Sequence, residues 1–287
     1  MPTITFAIAF DFSMTRKIDH LFVYPVKSLG GFGVKQAAIT AQGFEFDRRF
    51  MLIDENNRFI SQREIALMAL FDVFIQDGKL KVVFRPNGKS WSQSDDVHTN
   101  QEKLIVQIWS DECLAIPVST DADAFFSEMT GRSCKLVWMP DSTKRLVDEK
   151  FNRGNDITSF SDGFPFLLIG SASLSELNNR LMMNGYHSPL GWDRFRPNIV
   201  VQTEIPFEED HWKNFVVNGI SFDVVKPCAR CVITTTDQQT ALRHAEPLKT
   251  LSIFRTVNNK VMFGQNLLTS HQQGEIHVGD EVEVVWK

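Results

Sequence analysis

"KPCARCVITTTD" (226–237) holds the one close pair of cysteines in the chain, Cys228 and Cys231, and its reading decides the fold. A thioredoxin-like motif sets its two cysteines at the start of a helix, where the amide dipoles lower the thiol pKa. Here Cys231 opens the run Val232-Ile233-Thr234-Thr235-Thr236, which has strand composition. The redox-motif reading is therefore disfavoured and a β-rich one preferred. A structural zinc site would need four ligands, usually from two such pairs. Cys113 and Cys134 stand apart as singletons, and no histidine pair has finger spacing. Two readings stay open on the residues alone. The pair is either two buried structural thiols or a seat for one metal-bound thiolate, which the flanking cations Lys226 and Arg230 favour.

Outward from this stretch the dominant signal is β. Short β-branched or aromatic runs recur between turn residues: "HLFVYPV", "RFMLID", "KLKVVF", "KLIVQIW", "KLVWM", "NIVVQ", "ISFDVV" and "EVEVVW". Their close spacing, without intervening helices, favours barrels or sandwiches over a doubly wound sheet. The expected fold class is mainly β with a few short helices (α+β). The best helix spans 172–184: Ser173 and Glu176 form a capping box, Leu174, Leu177 and Leu181 line one face, and Gly185 ends it. A shorter helix is expected over 121–130, from Asp121 to the stop at Gly131, and Pro247 opens a third through "EPLKTL". The polar stretch 92–102 reads as a loop and 140–156 as a domain boundary. Two domains follow, 14–139 and 140–287.

Composition bounds the function. The 287 residues carry a net charge of -5, which argues against nucleic-acid and anionic-membrane binding, since both draw on excess Lys and Arg. Hydrophobic residues at 43% and charged residues at 23% suit a soluble globular protein. Four cysteines are no disulfide framework, so a reducing cytoplasm is the expected location. No run reaches the roughly 18 apolar residues of a membrane span. The opening "ITFAIAFDF" lacks a basic flank and a cleavage site, and leaves Met1 and Met14 as alternative starts. "SLGGFGV" (28–34) is not followed by the Lys-Ser/Thr pair and helix of a phosphate loop, and reads as a glycine-rich turn.

At this point the motifs resemble a family. "KPCARCVITTTDQQT" is similar to the metal-binding segment of MOSC-domain proteins, the group that includes the C-terminal domain of molybdenum cofactor sulfurases and the mitochondrial amidoxime-reducing component. "VYPVKSLGG", "GFEFDRRFMLID" and "SQREIALMALF" resemble the MOSC-associated N-terminal β-barrel domain. "FSDGFPFLLIGSASLSELNNRL", "FRPNIVV", "MFGQN" and "IHVGDEVEV" follow in the order of the MOSC barrel. The likeness runs from about residue 17 to the end, so the resemblance implies an N-terminal barrel-like domain followed by a MOSC β-barrel.

It also implies a molybdenum–molybdopterin cofactor, with Cys231 as the metal ligand and Cys228 structural. Lys27 and Ser28 match contacts to the phosphate-bearing pterin, where an ammonium and a hydroxyl suit a dianion. Arg49 matches a family arginine; strand alternation turns its neighbour Arg48 the other way. Arg196 and Asn198, Asp162 and Gly163, Ala229 and Arg230, and more weakly Gln265 and Asn266, complete the implied contacts. Asp162 is also the candidate proton relay. The activity implied is reduction of small N-hydroxylated compounds such as amidoximes and hydroxylamino bases, with a cofactor or sulfur carrier as the alternative. The chain ends at "EVEVVWK" with no further cysteines, so no fused iron–sulfur cluster is expected and the electron donor would be a separate protein. Two positions depart from the family. Gln238 stands where a proline is common, and Ala241 where a glycine is.

Overall fold

The computed structural model describes residues 15–94 and 102–287. The start at Met14 and most of the polar loop 92–102 therefore lie outside the described residues. The fold is mainly β, as the turn-punctuated runs require, with helices α1 (Thr120–Thr130), α2 (Ser171–Met183) and α3 (Leu248–Phe254).

The larger unit is a closed barrel. Around the ring its strands run Phe166–Gly170, Ile199–Val201, Arg16–Val23, Glu281–Trp286, Trp212–Val217, Ile220–Ala229 and Lys260–Leu268, which pairs back onto Phe166–Gly170. All neighbours are antiparallel except Phe166–Gly170 with Ile199–Val201. Arg16–Val23 is thus a stave of the barrel that the C-terminal half builds. Gln36–Thr40 joins the same end by pairing with Glu275–His277. The interior is filled from both chain ends, by Ile18, Leu21, Ile39 and Phe44 together with Phe166, Phe215, Phe222 and Ile276.

The smaller unit sets the four-stranded sheet Phe50–Ile53, Lys135–Trp138, Asp111–Pro117, Leu104–Ile108 and the three-stranded sheet Phe71–Gln76, Lys79–Phe84, Ser90–Ser92 around α1. Phe126 of α1, Phe71, Val82 and Leu136 share one core.

Four local expectations need correction. α1 begins at Thr120, one residue before the expected start at Asp121, because Ser119 caps it, its hydroxyl accepting from the Ala122 amide. The capping box of α2 does not form, because the Ser173 hydroxyl lies 2.8 and 2.9 Å from the two carboxylate oxygens of buried Glu209. The stretch 140–156 is more than a connector: buried Arg145 donates to the carbonyls of Ser159 (2.9 Å) and Ser161 (2.7 Å) and fixes the segment that follows. Finally, "CVITTT" is not a strand. The strand ends at Ala229 and Val232–Thr235 coil into a 3₁₀ turn. The threonines explain this, for the Thr234 and Thr235 hydroxyls donate back to the carbonyls of Cys231 (2.9 Å) and Val232 (2.7 Å).

Candidate functional site

A cleft of about 150 Å³ opens where the two units meet. Residues from the whole length of the chain wall it: Lys27 and Ser28, Arg48, Arg63, Asp162 and Gly163, Arg196 and Asn198, and Cys228 to Cys231 with Asn266. Five of the lining side chains are cationic, Lys27, Arg48, Arg63, Arg196 and Arg230, against the one carboxylate of Asp162. In a protein of net charge -5 this is a concentrated field for an anion.

Each cation is tethered. Lys27 Nζ donates to the Phe160 carbonyl (2.8 Å) and Asp162 Oδ1 (2.6 Å). Burial lowers its pKa to about 8 even with Asp162 beside it. The Asp162 side chain is 59% exposed on the cleft. Partial desolvation works to raise its pKa, but the Lys27 and Arg63 cations outweigh it and hold the carboxyl well below the usual range. It is ionised at neutral pH. Arg48 donates to Asp47 (2.5 Å), to Asn198 Oδ1 (2.9 Å) and to the Arg196 carbonyl (3.1 Å). Arg48 and Arg196 also stack on the buried Tyr24 ring, with guanidinium carbons 4.4 and 4.3 Å from its centroid. Burial, then repulsion from Arg48, lowers Arg196 to about 10.

The Tyr24 ring also explains the glycine-rich turn. A Cβ at Gly31 would lie 2.1 Å from Tyr24 Cδ1, and one at Gly30 2.4 Å from the Phe71 carbonyl oxygen. Three cleft residues, Ser28, Arg48 and Arg196, hold φ of +66°, +51° and +57°. Each such non-glycine residue costs about 1–2 kcal/mol. Strain of this kind gathers where surrounding contacts over-determine the backbone.

Around the thiols, the Arg230 amide donates to Val261 (2.8 Å) and keeps the segment on the sheet edge beyond Ala229. The Arg230 guanidinium reaches the Phe195 carbonyl (2.6 Å) and Cys228 Sγ (3.1 Å). Arg63 Nη2 lies 3.2 Å from Cys231 Sγ and 3.5 Å from Asp162 Oδ2, and Trp109 backs its guanidinium at 4.4 Å. Arg63 Nη1 and Arg230 Nε are buried without a partner, donors waiting for an acceptor. All four cysteines are unpaired. Among the described residues no three or more His, Cys, Asp or Glu cluster as metal donors, so a metal at Cys231 would have to arrive with its other ligands.

Ten of the twelve residues singled out from sequence line this cleft: Lys27, Ser28, Asp162, Gly163, Arg196, Asn198, Ala229, Arg230, Cys231 and Asn266. Two do not. Arg49, itself buried, turns away from the cleft, donating to the Met139 carbonyl (2.5 Å) and Asp141 (2.6 Å), and Arg48 lines the cleft instead. Strand alternation misled here because Arg48 lies in a turn at φ +51°, before the strand begins at Phe50. Gln265 is buried and donates to Asp210 (2.5 Å), away from the cleft. Arg63 was missed as a site residue, although it stands in "SQREIALMALF" and is the contact made to the Cys231 thiol.

Comparison with known proteins gives the family. Residues 15–133 match the MOSC N-terminal beta barrel domain and residues 155–283 the MOSC domain. This chain is a MOSC-domain protein. The MOSC protein is 29% identical over 281 residues to a molybdenum cofactor sulfurase of Danio rerio, covering 91% of this chain and 33% of the relative. It is 27% identical over 282 residues to mitochondrial amidoxime-reducing component 1 of Mus musculus, covering 92% of this chain and 81% of the relative. It therefore spans about a third of the sulfurase and most of the amidoxime-reducing component. The crystal structure of the YUAD protein from Bacillus subtilis aligns over 96% of this chain and 97% of that one, at 10% identity and a TM-score of 0.41.

Proposed function

We propose that this protein is a molybdenum-cofactor-dependent oxidoreductase that removes the N-hydroxyl oxygen of small compounds such as amidoximes, with electrons from a separate donor protein. One observation carries the reading: two thiols, Cys228 and Cys231, line a cleft walled by five cations, and two of those guanidiniums, Arg63 and Arg230, each keep one buried nitrogen without a partner. A phosphate-bearing pterin that supplies sulfur ligands to molybdenum fits this donor set. Soft sulfur suits the metal, and the guanidinium and ammonium groups suit the phosphate.

Cys231 would give the protein's own ligand. Lys27, Ser28, Arg196 and Asn198 would hold the anionic tail, with Arg48 in the role first given to Arg49. A Cβ at Gly163 would meet no protein atom within 4 Å, so the space beside it is free for a ligand. When bound, the cofactor supplies two-electron redox chemistry. The net reaction breaks the N–O bond, R–NHOH plus two electrons and two protons giving R–NH₂ and water. Asp162, held ionised, fixes Lys27 and Arg63. Lys27, near pH 8, is the group of this pair able to exchange a proton at neutrality.

The test is benzamidoxime turnover by protein loaded in a cofactor-producing host, with reduced methyl viologen as donor. Amidine formation that is lost in Cys231→Ser is expected. Bound molybdenum with no turnover of any N-hydroxylated compound would instead favour a cofactor or sulfur carrier.

A further inference from the structure

We propose that Gln238, acting through Gln62, is a positioning device that locks the Ser28 wall of the cleft to the loop bearing Cys231. The inference rests on the reading of the cleft as a cofactor site. The two amides come from opposite units and are 6% and 0% exposed. They pair reciprocally: Gln62 Nε2 donates to Gln238 Oε1 (3.1 Å) and Gln238 Nε2 to Gln62 Oε1 (3.0 Å). The second hydrogen of each amide goes to a main-chain carbonyl, Ser28 for Gln62 (2.8 Å) and Thr236 for Gln238 (3.0 Å). Every polar hydrogen of the pair is used, and a buried network so completed is rigid.

What lies at its two ends gives the network a purpose. Ser28 lines the cleft at φ +66°, a conformation that must be held from outside, and Gln62 holds its carbonyl. At the other end, the Thr236 amide donates to Ile233 and closes the 3₁₀ turn that begins after Cys231. Two guanidiniums reinforce the join. Arg85 donates to the Gln238 carbonyl, and Arg243 donates to the carbonyls of Gln62 and Arg63. Arg63 is the residue whose side chain meets the Cys231 thiol. The lock depends on the side-chain amide at 238, since a residue without one, such as proline, could neither meet Gln62 nor reach the Thr236 carbonyl.

The decisive variant is Gln62→Leu/Gln238→Leu, which removes the reciprocal pair together, so that neither amide is left facing an apolar partner, and takes the donors from the Ser28 and Thr236 carbonyls. In the cofactor-free protein, amide hydrogen exchange over residues 26–31 should rise about tenfold, the worth of one buried hydrogen bond, and molybdenum in the loaded protein should leave about tenfold faster on buffer exchange. Val217→Ala, a core change in the barrel away from the join, should leave exchange at 26–31 unaltered and so separates positioning from general loosening. If the double variant does not fold, Gln238→Asn, which retracts the amide by one methylene, gives the same reading. Unchanged exchange over 26–31 overturns the inference, and so does wild-type retention of molybdenum. A wild type that takes up no molybdenum in a competent host would count against the function proposed above and leave the exchange measurement to decide this inference.

Discussion

Ala241 sits at φ +59°, in the loop Asp237–Arg243 that ties the cleft together, where a glycine is at ease and an alanine is strained. The left-handed region costs a non-glycine residue about 1–2 kcal/mol, and glycine returns about 0.5–1 of that through its freer unfolded chain. Ala241→Gly should therefore raise the melting temperature by about 1–3 °C. A lower value would show that the methyl group's packing against the smaller core outweighs the strain. In the sequence Ala241 stood out only as a departure from the resembled family, which left the turn geometry after the cysteine segment open. The neighbouring question of which arginine faces the cleft was not legible. Arg48 and Arg49 differ by one turn residue, and alternation holds only inside a strand. Arg194 makes the same point, since it reads as a surface charge yet is 3% exposed and donates to the Thr234 carbonyl at 2.9 Å.

Among the elements, α2 shows how a tertiary partner displaces a local one. Its first turn offers Ser173 and Glu176 for a capping box, but the Glu209 carboxyl takes the Ser173 hydroxyl and accepts the Gly170 amide (3.1 Å). Burial raises the Glu209 pKa from 4.5 to about 7, with Asp210 adding to the rise and the Gly170 and Ser173 hydrogen bonds opposing it. The folded state keeps this proton up to about pH 7 while the unfolded chain releases it near 4.5. Stability is thus highest below about 4.5 as far as this group is concerned, falls as pH rises to about 7, and is then flat. The fall should amount to ~3 kcal/mol, and Glu209→Gln should remove it. Urea midpoints at pH 5 and 7.5 for the two proteins decide the matter, and parallel curves would contradict it. The lengths and apolar faces of the helices were legible because they repeat every turn. Capping was not, because the competing carboxyl lies thirty-six residues along the chain. The run "CVITTT" was misread for a related reason: β-branched composition says strand, whereas hydroxyl-to-carbonyl bonds within the run favour a turn.

At the scale of the molecule, chain order and spatial order differ. A cut at 139/140 divides the sequence by composition, yet Arg16–Val23 is a barrel stave between Ile199–Val201 and Glu281–Trp286. The fragment 140–287 would leave that barrel open, with two unpaired edges and a core lacking Ile18, Leu21, Ile39 and Phe44. It should fail to melt cooperatively, while the full chain does; a sharp transition from the fragment alone would refute the shared-barrel account. The β content was legible because each run carries its own signal, and the site residues were named only through the resemblance of their motifs to a family. The crossing was not, because nothing in "KIDHLFV" names its partner strands.

That crossing is what brings Lys27, Arg63, Asp162, Arg196 and Cys231 to one cleft, and the claim that they hold a molybdenum cofactor through Cys231 is open to direct measurement. Metal content should be determined by mass spectrometry on wild type and Cys231→Ser, both expressed with molybdate in a cofactor-producing host. Close to one molybdenum per chain in wild type and little in the variant is the predicted result. Equal molybdenum in both proteins, or none in either, would contradict it.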